Sequence, residues 1–425
     1  MRSHRATHNL IAVSANAAET AINTEQTLDT SMLVDMGDII QRQPRREDNA
    51  SELNGKEEAD AIYDLGHTVQ ANFTFNKAQP QHFAFILAYA LGDVATAAAG
   101  DGYLHTITPA LDDLDAARSN PSFTAAQRFG LTVLKQRFAS LFMDSFTATF
   151  AKDDWLKIVG QALGTGKITK NVVEETISAA ETVTQLTLAA NAVEGSTAQA
   201  RLDNVQRIRV ELAAGVWTEV AYTAVSAATP AVITIVAPGE AATVRSYKVL
   251  YVAAESGWMT FPARVSETPM RISQLNCVLG GSWTGSAFAG GRTLNADIRT
   301  ITWNFLNNGA VEFIPGADGA YAARYFRDSR TQTIALDREF KDYILQNHID
   351  ANDTFGLHLV ATGAVFDDPH AYKLELIFPK LGVVTAPISV DGKRLAEAGD
   401  LRVMEDDTYG SVIARITNLQ ATYAA

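Results

Sequence analysis

The chain of 425 residues has one cysteine, Cys277, so neither an internal disulfide nor a cysteine-built zinc site can form within it. That thiol sits in the apolar run LNCVLGG, the setting of a buried structural side chain rather than a nucleophile. Long apolar runs are missing as well. The longest, Phe83 to Leu91, falls far below the roughly 18 residues a membrane-crossing helix needs. The opening stretch MRSHRATHNLIAVSANAAET breaks up after Val13 and makes a poor signal peptide. These absences predict a soluble, unsecreted chain with no membrane partner.

Basic charge is scarce: 35 Lys and Arg stand against 48 Asp and Glu, a net charge of −13. A protein that grips nucleic acid neutralises phosphates with a basic face, and the balance here argues against that. Proline is absent between Ser122 and Thr229. What is present, 47% hydrophobic and 20% charged residues, is the composition of a folded chain with enough length for two or three domains.

Strand patterning dominates. VQANFTF places Val69, Ala71, Phe73 and Phe75 on one face. Pro80 opens an apolar helix, HFAFILAYAL, that Gly92 is placed to stop. A fainter echo follows: the strand SFTATF, from Ser145, and then DDWLKIVGQAL, read as a helix ending at Gly164. The common core, Thr74-Phe75-Asn76-Lys77 against Thr149-Phe150-Ala151-Lys152, raises the possibility of duplication, with chance similarity as the alternative. The Ala/Thr-rich stretch from Thr176 to Ala192 suits either helix or strand. From Val205 to Ala253 four strand-like runs with regular breaks predict a small antiparallel sandwich or a set of hairpins. Gly257 to Pro269 reads as a connector, and DREFKDYILQ, from Asp337, as a helix. Towards the end, Tyr372, Leu374, Leu376 and Phe378 alternate with Lys373 and Glu375, as in a strand with one buried face. Asp391-Gly392 is a tight-turn dipeptide, and Thr408-Tyr409-Gly410 punctuates the next pair. The dense mixed-charge segment from Arg42 to Asp60 reads as a solvated loop or a segment that docks on a neighbouring subunit.

Catalytic motifs are lacking. GTGK at Gly164 to Lys167 fails the phosphate-loop spacing, with Gln161 and Ile168 where glycine and Ser/Thr belong, and reads as a turn. His348, His358 and His370 lie near Asp350, Asp353, Asp367 and Asp368 in sequence but without the spacing of a metal site. Asp350 to Gly356 lacks the calcium-loop pattern. The acid clusters Asp112-Asp113, Glu57-Glu58 and Glu405-Asp406-Asp407 are turn-like surface rather than general acid/base pairs. No cofactor and no enzymatic activity are expected.

Several segments together resemble the major tail tube proteins of long, non-contractile-tailed bacteriophages. They are AINTEQTLDTSMLVDMGDII, DLGHTVQANFTFNKAQPQHFAFILAYALGD, GYLHTITPALDDL, RTQTIALDREFKDYILQNHIDANDTFGLHLVATG and KLELIFPKLGVVTAPISVDGKRLAEAGDLRVMEDDTYGSVIARITN. The resemblance spans most of the chain and is weakest from about Thr165 to Ala254. It implies a mainly β protein with a few short helices. Its tail-tube-like β-sandwich or barrel modules would assemble into a ring, a hexamer or a pseudo-hexameric trimer, with rings stacked as a tube. On that reading 1–164 is an N-terminal tube-like module with an arm and charged loop. Residues 165–265 are an inserted or outer β-rich segment, or part of a second tube module, and 266–425 are a C-terminal β module. The implied partners are further copies, the terminator, tape measure and distal tail proteins, and genomic DNA sliding through an acidic lumen without specific binding. The implied location is the virion tail, and the host cytoplasm during assembly. Candidate assembly contacts are Arg45, Arg46, Glu57, Glu58, Asp391, Glu405, Asp406 and Asp407. The alternative is another self-assembling surface or decoration β-protein of a virion or cell envelope.

Overall fold

A computed structural model describes residues 5–53, 55–110, 120–130, 133–254, 260–264 and 267–425. Asp112 and Asp113, and parts of the expected connector from Gly257 to Pro269, lie outside the described residues. Among the described residues the chain is mainly β with three short helices, and its several antiparallel sheets do not close into a barrel. No described helix is long and apolar enough to cross a membrane. Two compact units are present. One comprises 1–10, 126–137 and 168–261, and the other 11–125, 138–167 and 262–425.

In the first unit, Val172–Ala180, Val244–Val252, Val205–Ala213 and Val216–Glu219 form one sheet in that order. Gln185–Thr187, Val232–Ile235 and Tyr222–Val225 form a second. Ile208, Val210, Tyr247, Val249 and Tyr251 from one and Leu186, Val225, Ile233 and Ile235 from the other share a single buried cluster, a sandwich core. The ambiguous Thr176 to Ala192 stretch therefore contains two strand segments, up to Ala180 and again over Gln185–Thr187, and no helix. Alternation decides it, because Ile177 and Ala179 face that core.

The second unit is built around one sixteen-residue strand, His370–Thr385. Phe355–Asp367 pairs along one side of it, followed outward by Leu275–Trp283 and Phe288–Thr293. Along the other side lie two strands end to end. Ile413–Asn418 takes residues 373–377, and Arg394–Val403 takes residues 381–385. The sheet therefore forks. One branch runs from Ile413–Asn418 through Gly102–Pro109 to Gly92–Ala99. The other runs from Arg394–Val403 through Thr331–Glu339, Ile298–Leu306, Lys135–Ala151, Lys157–Gly164 and Ile62–Phe75 to Gln41–Asp48.

The helix Pro80–Leu91 touches both branches, and all twelve of its residues are buried. Proline at its first turn, an apolar surface all round and Gly92 in the left-handed region at φ 99° explain its start, its burial and its end. Phe73, Phe85, Tyr89 and Phe123 pack edge to face around it.

Two expected helices and one expected one-sided strand need correcting. DDWLKIVGQAL is a turn followed by the strand Lys157–Gly164, in which Ile158, Gly160, Ala162 and Gly164 face inward. Its apolar residues fit period two as well as helical spacing, and pairing on both sides settles the matter. Asp337 to Glu339 close the strand Thr331–Glu339, and the helix begins only at Ile344, running to Ala351. The expected single buried face of Tyr372 to Phe378 is in fact two, because Trp283, Ile377 and Ile413, flanked by Phe288 and Tyr409, cover the second.

Candidate assembly surface

The charged segment from Arg42 to Asp60 is a loop only in part. Gln41–Asp48 is a strand with every residue exposed, paired with Ile62–Phe75 to make a projecting hairpin, the arm. Extended backbone suits it because Pro44 and dense mixed charge guard an outer edge that, among the described residues, pairs on one side only. At the base, Val69–Phe75 pairs with Lys157–Gly164, and its first two residues, Val69 and Gln70, also pair with Gln41–Asp48. Further out, two residues at Leu65-Gly66 oppose Arg45 in the register, a bulge that Gly66 permits at φ 86°. A Cβ there would lie 2.4 Å from the Gly319 carbonyl oxygen. Successive strand residues point to opposite faces, so the arm carries apolar side chains on both: Ile62 on one, Tyr63 on the other. Ile62, Tyr63 and Leu65 are 70%, 46% and 41% exposed, and Leu53 at the tip is wholly so.

The tip is held internally. The Asn49 side-chain oxygen accepts from the N–H groups of Asp60 and Ala61 at 3.0 and 3.1 Å. The Tyr63 hydroxyl donates to Glu52 at 2.8 Å, and Lys56 pairs with Asp60. Of the expected contact residues, Arg45 and Arg46 lie on the exposed arm strand, with the Arg45 guanidinium 4.5 Å from the Phe313 ring centre. Glu57 and Glu58 are exposed at the tip.

Asp391 lies on a second hairpin, Ile388–Asp391 with Arg394–Val403, where it pairs with Arg299 at 2.6 Å. The turn forms where the sequence placed it, although the two loop residues are Gly392 and Lys393, with Gly392 at φ 62°. Glu405, Asp406 and Asp407 form a third group. The Asp406 carboxylate accepts from the N–H groups of Thr408 and Tyr409, so it shapes that turn. The eight residues thus occupy three separate hairpins or turns.

The other polar candidates are spent on structure. Thr165 and Lys167 of GTGK bond Asn23, the lysine to its carbonyl at 2.7 Å. His348 bonds Asp353 at 2.5 Å and stacks on Phe355, while His358 bonds Glu375 at 2.8 Å. Among the described residues no three His, Cys, Asp or Glu side chains gather as a metal site would require.

Sequence reading missed Glu375 and Glu267. Burial opposes charge on Glu375, yet hydrogen bonds from His358 and Lys373 outweigh it and bring the carboxyl down to about 2. Glu267 is buried between the Pro80–Leu91 helix and the C-terminal segment. It accepts from the N–H of Gln81 at 2.8 Å and that of Leu419 at 3.3 Å. Burial dominates and raises its carboxyl to about 7. Nothing local in the sequence marks it, because its partners are 186 and 152 residues away.

Compared with known proteins, the chain matches no family model and no curated protein.

Proposed function

We propose that the chain is a structural subunit that self-assembles into stacked rings of a phage-type tail tube, the conduit for genomic DNA. The observation that carries this reading is the arm: an ordered, internally bonded hairpin with apolar side chains bare on both faces. An isolated two-stranded hairpin is marginal in water, so an ordered bare one fits a subunit whose partner is another copy. Gln41–Asp48, Gly92–Ala99 and Phe288–Thr293, each paired along one side only among the described residues, offer the backbone edges for that joining. An edge of one kind meeting a different edge on the next copy is heterologous, and such contacts close into rings or run on as filaments. The sequence resemblance to tail tube proteins selects the stacked ring, and the net charge of −13 suits a wall along which DNA slides without sticking.

Negative-stain electron microscopy of the purified full-length protein tests the proposal. The expected images are rings with a central hole, or tubes of them. Monomers at every concentration would overturn it, and flat lattices would favour a surface or decoration protein instead.

A further inference from the structure

The hairpin Ile388–Asp391/Arg394–Val403 carries a second bare apolar face. Val390 lies opposite Leu395 and Ile388 opposite Glu397, so these side chains share one face. The inner part of that face is covered: Glu397 is fully buried, bonded to Arg338 and to Gln346 of the helix Ile344–Ala351. The outer part is not. Val390 is 75% exposed, with Ile388 and Leu395 also exposed. Exposed Tyr343 extends the patch, its ring against Phe340, whose N–H donates to the Leu395 carbonyl at 3.0 Å. The helix covers half of an apolar face and stops.

Ion pairs surround the bare half, with one lysine in excess. Arg394 pairs with Glu339, Lys341 with Asp297 and Arg299 with Asp391, while Lys393 at the turn has no ion-pair partner among the described residues. The arm tip has the opposite character. Between residues 48 and 61 it presents Asp48, Glu52, Glu57, Glu58 and Asp60 against Lys56 alone, around the bare Leu53.

We infer that the arm tip of one copy docks on this hairpin face of a second copy, Leu53 and Ile62 covering Val390, Leu395 and Tyr343 while the tip carboxylates meet Lys393 and its neighbours. The inference rests on the self-assembly reading and adds which surface meets which. Three observations select this occupant: apolar side chains left bare on both elements, the unpaired Lys393 on the hairpin against an acidic excess on the tip, and a tip already ordered by its own bonds, which lowers the entropy lost on docking. The surfaces differ, so each copy has one of each to offer and the contact can repeat indefinitely.

The test pairs an engineered disulfide with substitutions in the full chain. With Leu53→Cys and Val390→Cys together, mild oxidation should give a ladder of covalent oligomers. Leu53→Cys with Val365→Cys, exposed on the Phe355–Asp367 strand across His370–Thr385 from the hairpin, should give none. Leu53→Asp and Val390→Asp should each raise the protein concentration needed for ring formation by about tenfold or more, from the lost apolar burial. Lys393→Glu should weaken assembly, and Glu57→Lys with Glu58→Lys should restore it. Melting temperature checks that each variant is folded, which is expected because the substituted side chains are exposed. Rings that form normally in both aspartate variants, with no specific covalent ladder, would overturn this docking and leave the proposed function standing. Absence of rings in the unaltered protein would overturn both.

Discussion

One fourteen-residue strand, Ile62–Phe75, lives in two environments. In its wall half, Val69, Ala71, Phe73 and Phe75 are at most 2% exposed, packed beneath a buried helix and aromatic rings. In its arm half, equally apolar side chains stand in water. The chain is the same and the bulge at Gly66 divides the two regimes. Under the self-assembly proposal, what differs is whether the covering partner is supplied by this copy. The wall half then serves the stability of the subunit, and the arm half a surface that a second copy would cover.

The comparison breaks most readily at Phe73. Phe73→Ala should cost about 3–5 kcal/mol in urea unfolding, because the cavity opens among Phe85 and Phe123. Ile62→Ala, in the arm half of the same strand, should stay within about 0.5 kcal/mol in the same assay while impairing assembly. Equal losses at the two positions would erase the distinction.

Glu267 sharpens the wall side. Its carboxyl, at about 7 in the folded chain and near 4.5 when unfolded, keeps its proton longer in the folded state. The unfolded state therefore binds fewer protons in that interval, and stability falls as pH rises from about 4.5 to 7. The full difference corresponds to about 3 kcal/mol. Glu267→Gln should flatten this limb of the stability profile and raise the melting temperature at pH 8. It retains an acceptor for Gln81 and gives up the longer bond to Leu419. An unchanged slope between pH 4.5 and 7 would show that Glu267 does not titrate there.

Gly66→Ala comes next. The added methyl meets the Gly319 carbonyl in a left-handed backbone, so a loss of about 1–3 kcal/mol is expected, with the arm re-aimed and ring formation reduced. The smallest effect belongs to Asp391→Asn. Its ion pair with Arg299 is open to solvent, and the melting temperature should move by less than about 1 °C.

Local pattern carried much of the fold. Pro80 and Gly92 bracket the helix they were expected to bracket, and the closing strand Arg394–Val403 alternates between buried and exposed residues from Glu397 on. The same reasoning failed where two periods fit one run, as from Asp153 to Gly164, since tertiary pairing rather than spacing chose the strand. It also failed at Glu375, read as solvent-facing, because the cover over it comes from Trp283 and Phe288 far away in sequence. The candidate surface was legible as charge at Arg45, Arg46, Glu57 and Glu58. The apolar half, Ile62, Tyr63, Leu65 and Val390, was not, since an alternating run gives no sign of where its cover ends.

The fork at His370–Thr385 has a mechanical side. A pull on the arm and a pull on Gly92–Ala99 enter the unit through different branches, yet both reach this one strand. Its backbone bonds to Arg394–Val403 and Ile413–Asn418 occupy successive stretches of the same edge, with Phe355–Asp367 bracing the opposite edge. Tension along such a strand loads many hydrogen bonds together in shear instead of opening them one by one. In the proposed tube, a wall of such units would stretch and recoil as a piece, with its tensile strength concentrated in a single segment of each subunit.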